Sequence, residues 1–334
     1  QLIPRQEMRK INDGNVRHSI MHRTVQGLQT PGQHPVDLLL CGRSQTATTP
    51  TDRAPMPLQN PPELFDQLVA DGFCLVADLL DPDILSRLRQ TTDQLLDAQS
   101  EEKNDEQRST GSMIDVGVHP IFAELVAHPG ARSVLTALGC LRPKWMSGYV
   151  ISKPPQSPAL FWHQDWWGWN DPSSYTPLPQ QLFFMYYLVD TTPHNGCLRL
   201  LRGSHLQRHH MHDEVPDAHT DELRRFSDPD HPAYQSLAEE VDVPVKAGDL
   251  VIGDSRLLHS AHANKSDHRR TVITLWYFPY FELLSDGLRA AIARPREWTG
   301  WDDAARTRVA DLVPVYSGGA APVAWNREPG ELLQ

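Results

Sequence analysis

The run Phe161-Trp162-His163-Gln164-Asp165-Trp166 sets an imidazole and a carboxylate two residues apart among aromatic neighbours. In an extended strand, residues i and i+2 leave the same face, so His163 and Asp165 could grip one ion. A third candidate ligand, His259, enters from a second apolar run, Leu257-Leu258-His259-Ser260-Ala261-His262. Further on, Arg270 opens Thr271-Val272-Ile273-Thr274-Leu275-Trp276-Tyr277. Two histidines and one carboxylate on a β-scaffold suit a mononuclear non-haem Fe(II) centre with open positions for a cosubstrate and oxygen. A guanidinium on a core strand is seldom buried unless it meets an anion, and its planar fork fits a carboxylate. The plainer account of Arg270 is a solvated edge beside Arg269 and His268.

Chance must be weighed, because the chain holds 16 histidines and a second triplet, His219-Thr220-Asp221. That copy lies among Asp213, Glu214, Asp217 and Glu222 and reads as a solvated loop or helix end. His163 lies among Phe161, Trp162, Trp166 and Trp167, where a buried charged pair needs partners or a metal. An ordinary structural hydrogen bond is the competing account of that pair. The histidines from His205 to His219 are irregularly spaced and interrupted by acids, which favours a mobile polar lid over a second metal site. His262 is expected to face away. Strand alternation places Trp167 and Trp169 beside His163 and Asp165, an aromatic wall for an apolar or cationic small molecule. Core packing is the alternative for each tryptophan, and Gly168 could break the register.

The elements that must position these residues are legible in outline. Asp81-Pro82 gives an N-cap and a first-turn proline, and Ile84, Leu85, Leu88, Leu95 and Leu96 predict a helix over 82–97. Short helices are expected near 122–127 and 131–138. Strands are expected at 145–153, 159–167, 181–190, 197–201, 243–252, 256–262 and 270–279, with a hairpin at Asn195-Gly196. Strands behind helices indicate one α+β domain, mainly β, whose sheets form a sandwich or barrel. Residues 1–61 are rich in Pro, Gln, Thr, Ser and Gly and more basic than the rest. They are expected to be a disordered or non-native tail, with a transit peptide or a start at Met56 as other accounts. Residues 62–334 would hold the folded domain.

Composition narrows the class. With 40% hydrophobic and 22% charged residues the chain is of ordinary globular type. A net charge of −11 gives a nucleic-acid partner no general support. No apolar run approaches the ~20 residues a membrane span needs. Cys41, Cys74, Cys140 and Cys197 are scattered without a C-x-x-C pair, as expected for reduced thiols in a cytoplasmic protein. Nothing fixes the oligomeric state.

Taken in order, these pieces resemble the phytanoyl-CoA dioxygenase family of Fe(II)/2-oxoglutarate oxygenases. Lys153-Pro154-Pro155 followed by His163-Gln164-Asp165 is similar to its K-P-P and H-Q-D. Asn195-Gly196-Cys197-Leu198 to Gly203-Ser204-His205 is similar to its N-G-C-L and P-G-S-H hairpin. Gly248-Asp249, His259, Asn264-Lys265-Ser266 and Arg270 resemble its closing block. Asp71-Gly72-Phe73 and Leu79-Leu80-Asp81-Pro82 resemble its first strand and helix, so the likeness runs from about 65 to 280.

The resemblance implies a double-stranded β-helix (jelly-roll, cupin-like) core with flanking N-terminal helices. It implies His163, Asp165 and His259 as iron ligands, Arg270 on the distal carboxylate of 2-oxoglutarate and Lys153 as a helper there. Asn264 and Ser266 would shape the turn before Arg270. The reaction would consume O₂ and 2-oxoglutarate, release succinate and CO₂, and hydroxylate a small molecule. Halogenating relatives lose the carboxylate that Asp165 supplies. Arg202 replaces the proline of P-G-S-H, Ala261 stands where the phytanoyl-CoA enzyme has a serine, and Met185 stands where it has a tryptophan. Cosubstrate packing should therefore differ at Met185, and phytanoyl-CoA as substrate is not supported. The competing class is a cupin-like metal-binding protein without oxygenase activity, either a binding module or a hydrolase or isomerase. Arg270 with Lys153 speaks against it, since an oxo-acid cosubstrate accounts for both.

Overall fold

A computed structural model describes residues 61–334 except Leu141 and Asp217, so the expected tail lies outside the described residues. The chain enters through α1 (Pro61–Asp71), β1 (Phe73–Val76) and α2 (Pro82–Asp97). The α2 start is as expected: the Asp81 carboxylate accepts from the Asp83 and Ile84 amides, and Pro82 needs no partner there. There follow α3 (Glu101–Glu106), β2 (Ile114–Asp115), α4 (Ile121–Val126) and α5 (Pro129–Ala137). Leu64, Leu68, Ile84, Leu88, Phe122 and Val134 lay the apolar stripes of these helices on one side of a sheet.

The strands are β3 (Lys144–Lys153), β4 (Leu182–Tyr187) and β5 (Leu198–Leu200), then α6 (Met211–Glu214) and α7 (Asp221–Arg225). After these come β6 (Val241–Val243), β7 (Leu250–Asp254), β8 (His259–Ala261) and β9 (Arg270–Phe278). Helices α8 (Asp286–Ile292) and α9 (Asp303–Arg308) close the chain. A six-stranded sheet runs β1-β7-β4-β9-β3-β2 and a three-stranded sheet β6-β5-β8. Every pairing within them is antiparallel.

Period-two alternation divides the large sheet between two cores. On β4, Phe184 and Tyr186 join the helices. Phe183, Met185 and Tyr187 turn the other way and meet Leu198, Leu200 and Val243 of the small sheet. The two sheets therefore face each other across a shared apolar layer, as in a sandwich.

Three expectations change. The run 243–252 is two strands, β6 in the small sheet and β7 in the large one. Gly248 at φ 99° and the Asp249 carboxylate, which accepts from the Asp78 and Lys246 amides, turn the chain between sheets. The stretch 159–167 is not a strand: it meets β8 in one isolated bridge, His163 opposite His259. Of its other amides, Leu160 donates to the Ala261 carbonyl of β8, but Trp162 goes to the Ala233 carbonyl and both Asp165 and Trp166 to Ser255. The histidine-rich segment after 205 is no purely polar lid, because Met211, Val215, Ala218 and Leu223 pack with Phe161, Trp162 and Leu258.

Candidate metal centre

The bridge between His163 and His259 builds the site. Each backbone N–H donates to the other's carbonyl, at 3.0 and 2.9 Å. Residues directly opposite in an antiparallel pair carry their side chains on one face. The rings accordingly stand with centroids 4.1 Å apart. Both rings use the same anchor: Nδ1 of His163 bonds the Phe161 carbonyl at 3.0 Å and Nδ1 of His259 the Leu257 carbonyl at 2.9 Å. That places the proton on Nδ1 and leaves each Nε2 as a free lone pair, the form that binds a metal.

Asp165 completes the set. Its carboxylate oxygens lie 3.7 Å from Nε2 of His163 and 3.8 Å from Nε2 of His259. Those separations are too long for hydrogen bonds. Among the described residues, the three ligand atoms form a group within 4.8 Å of one another. Burial, with His259 adding to it, holds the His163 imidazole down to about 3, so it is neutral and able to ligate at ordinary pH. Trp276 on β9 donates from Nε1 to the Asp165 carboxylate at 2.9 Å and fixes its orientation. Phe183 closes the other side of His259, ring centroids 4.9 Å apart.

The inward face of β9 continues away from this cluster as Thr274, Val272 and Arg270. Across from them in register stand Met185 opposite Thr274 and Tyr187 opposite Val272 on β4, and Lys153 opposite Arg270 on β3. Arg270 is buried, its Nε has no partner, and no carboxylate of the described residues lies within ion-pair distance. Thr274 Oγ1 is likewise buried without a partner. A guanidinium in that state calls for an anion from outside the chain. Lys153 is fully enclosed and donates from Nζ to the Ser109 carbonyl at 2.7 Å. Burial, with Arg270 and Arg199 nearby, pushes its ammonium well below the usual value. Met185 packs inside the same layer, its sulfur 3.7 Å from the Tyr187 hydroxyl. Asn264 shapes the approach to Arg270 as expected, donating to the carbonyls of Lys153, Pro154 and His268 and accepting from Ser266.

Other residues fall differently from the sequence reading. Because 159–167 is not a strand, alternation no longer places Trp167 and Trp169 toward the ligands. Both are buried with Trp166, Phe278, Phe281 and Leu288. Trp169 donates from Nε1 to the Gln164 side chain, and Trp167 stacks on Trp325 at 5.0 Å. His262 turns away as expected, with Nε2 on the Asp242 carboxylate at 2.5 Å. His219 does not: its ring stands edge-on to His163, centroids 4.9 Å apart. The C-terminal segment also reaches this region, where Asn326 pairs with Gly168 and Arg327 donates to the Gln164 carbonyl at 3.4 Å.

A family model described as phytanoyl-CoA dioxygenase (PhyH) matches residues 68–272. Over 161 residues the chain is 32% identical to phytanoyl-CoA dioxygenase 1 of Oryza sativa subsp. japonica, covering 47% of this chain and 52% of that protein. The chain thus spans about half the length of that relative. It is 23% identical over 242 residues to the ectoine dioxygenase of Sphingopyxis alaskensis, covering 68% of this chain and 78% of that one. The epimerase SnoN, solved with Fe³⁺, alpha ketoglutarate and nogalamycin RO, superposes with a TM-score of 0.51 at 21% identity, covering 80% of this chain and 97% of SnoN. At that identity the likeness speaks for the fold.

Proposed function

The chain belongs to the phytanoyl-CoA dioxygenase family, and from that membership we propose an Fe(II)- and 2-oxoglutarate-dependent dioxygenase that hydroxylates an unactivated C–H of a small molecule. The family uses Fe(II), 2-oxoglutarate and O₂. The observation that carries the reading is the meeting of two Nδ1-anchored histidines with Asp165 at one end of an inward face whose other end holds the unpaired Arg270. The facing sheets are read as the double-stranded β-helix of this family.

The residues divide the work. His163, Asp165 and His259 would hold the metal, and the orphaned Nε2 lone pairs and the carboxylate suit Fe(II). Iron bound there supplies the O₂ activation that decarboxylates 2-oxoglutarate to succinate and CO₂ and places one oxygen atom on carbon. Trp276 keeps the Asp165 oxygens aimed at the histidines. Arg270 would receive the distal carboxylate of 2-oxoglutarate as a bidentate, charge-assisted pair. Lys153, beside it, would line the same end, and Met185 with Tyr187 would shape the apolar wall that keeps water out. Asp165 retains the carboxylate position, which favours hydroxylation over halogenation. Trp167 and Trp169 stay candidates only for supporting the substrate pocket, through Gln164 and the C-terminal segment.

The reading is tested by turnover without a prime substrate. Fe(II), 2-oxoglutarate and O₂ together are expected to yield succinate slowly, and chelation of the metal to stop it. Protein loaded with Fe(II) that forms no succinate in air would count against the dioxygenase.

A further inference from the structure

The outer face of the small sheet carries a second convergence of ligand-type side chains. Leu198 and Val243 pair in register and point into the layer between the sheets, and Ala261 pairs with Leu198 from the other side. Alternation therefore turns Cys197, Asp242 and His262 to the opposite face. The His262 amide donates to the Cys197 carbonyl at 3.0 Å, extending the pairing of β5 with β8 by one residue. The Cys197 thiol, an Asp242 oxygen and a His262 ring nitrogen lie within 4.8 Å of one another. Cys197 is buried, whereas Asp242 is exposed and His262 half-buried, so an ion can enter from solvent.

Nε2 of His262 meets Oδ1 of Asp242 at 2.5 Å and Oε1 of Glu240 at 4.0 Å. The other Glu240 oxygen accepts from Arg199 at 3.0 Å and from the Leu237 amide at 2.9 Å, which fixes that carboxylate beside the ring. Zinc bonds of about 2.3 Å to sulfur and about 2.0 Å to nitrogen or oxygen set tetrahedral ligand atoms roughly 3.3 to 3.6 Å apart. Side-chain shifts of about 1 Å bring the present separations onto those values. Burial pushes the Cys197 thiol up to about 12 in the metal-free chain, and a coordinating ion displaces that proton outright. A thiolate with an imidazole selects zinc over hard cations such as magnesium and calcium. The group His209, His210 and Glu239 is also closely spaced, but it is closed to a metal. There Nδ1 of His209 accepts from the Met211 amide at 3.2 Å, so its proton sits on Nε2 and is donated to Glu239. Among the described residues no such bond holds Nδ1 of His262, whose tautomer can place the lone pair on Nε2.

We propose that Cys197, Asp242 and His262, with Glu240 in the fourth position, bind a zinc ion at a second metal site separate from the His163 cluster. Four protein ligands leave no open position, so the ion is structural. It ties β5 and β8 to the chain entering β6, and β8 is the strand that opens with His259. No residue of the dioxygenase reading takes part, and the inference stands apart from it.

The test titrates the full chain, stripped of metal, with Co(II), which reports a thiolate ligand by a sulfur-to-cobalt charge-transfer band. A band is expected that saturates at one equivalent and is erased by Zn(II). It should survive in Asp165→Ala, which disables only the other cluster, and vanish in Cys197→Ser and in His262→Gln. Zn(II) should also raise the melting temperature of Asp165→Ala but not that of Asp165→Ala combined with His262→Gln. Should the buried Cys197→Ser fail to fold, the half-buried His262→Gln decides the matter. No band in the parent protein, a band that persists in His262→Gln or in folded Cys197→Ser, or a band lost in Asp165→Ala overturns the proposal.

Discussion

Asp165→Ala and His259→Ala are each expected to lose Fe(II) binding and to leave 2-oxoglutarate turnover at least about a thousand-fold below the parent protein. The expectation follows from the geometry of the cluster. The Asp165 carboxylate stands 3.7 and 3.8 Å from the two Nε2 atoms, with no hydrogen bond to either to compensate for burial. Their arrangement gains its value from a shared ion, so deletion of one member undoes the set. Because the three act as a unit, the double variant should be little worse than either single one. Trp276→Phe gives a graded control: it keeps every ligand and loses only the hydrogen bond to Asp165. Metal affinity should then fall about 10- to 100-fold, as for other groups that orient a ligand. Metal content after dialysis, with circular dichroism to verify folding, measures all four. Stoichiometric iron retained by Asp165→Ala would remove that residue from the ligand set.

Arg270→Gln is expected to raise the KM for 2-oxoglutarate by roughly thirty- to several-thousand-fold while leaving Fe(II) affinity nearly unchanged. Loss of one partner of a buried ion pair costs about 2–5 kcal/mol, and about 1.4 kcal/mol is tenfold in affinity. Arg270→Lys should recover only part, since an ammonium lacks the planar fork. Stability should move the other way. The guanidinium is buried among the described residues without a counter-ion, and its removal relieves an uncompensated charge. The metal-free Arg270→Gln protein is therefore expected to melt no lower than the parent. A purely structural arginine would give the reverse, a lower melting point with KM unmoved.

How far the sequence disclosed this depends on the kind of contact. His163, Asp165, His259 and Arg270 were legible because each opens or interrupts an apolar run, and the fold class because period-two stretches follow helical ones. The reason His163 meets Asp165 and His259 was not. Alternation within one strand suggested it, whereas the structure achieves it through a single bridge between distant segments. No local pattern encodes such a pairing. The same misreading carried Trp167 and Trp169 toward the ligands, since the amides of Asp165 and Trp166 turn to the Ser255 carbonyl and end any strand there. Trp276 and Thr274 had an available signal, for they alternate with Arg270 on one strand. His219 was misjudged from its acidic neighbours. Met211, Val215 and Ala218, apolar residues spaced through that stretch, were the signs of a buried side. The contact of Asn326 with Gly168 spans nearly half the chain and had no signal at all.

The central claim is that one pocket binds Fe(II) through the triad and 2-oxoglutarate through that iron and Arg270. Anaerobic titration reads it most directly: Fe(II) first, then 2-oxoglutarate, followed by visible absorption. The account predicts a charge-transfer band that appears only when both are present and saturates at one equivalent of iron. The band should be absent in Asp165→Ala and should require far more 2-oxoglutarate in Arg270→Gln. Iron-loaded parent protein that gives no band, or a band that survives intact in Asp165→Ala, would contradict it.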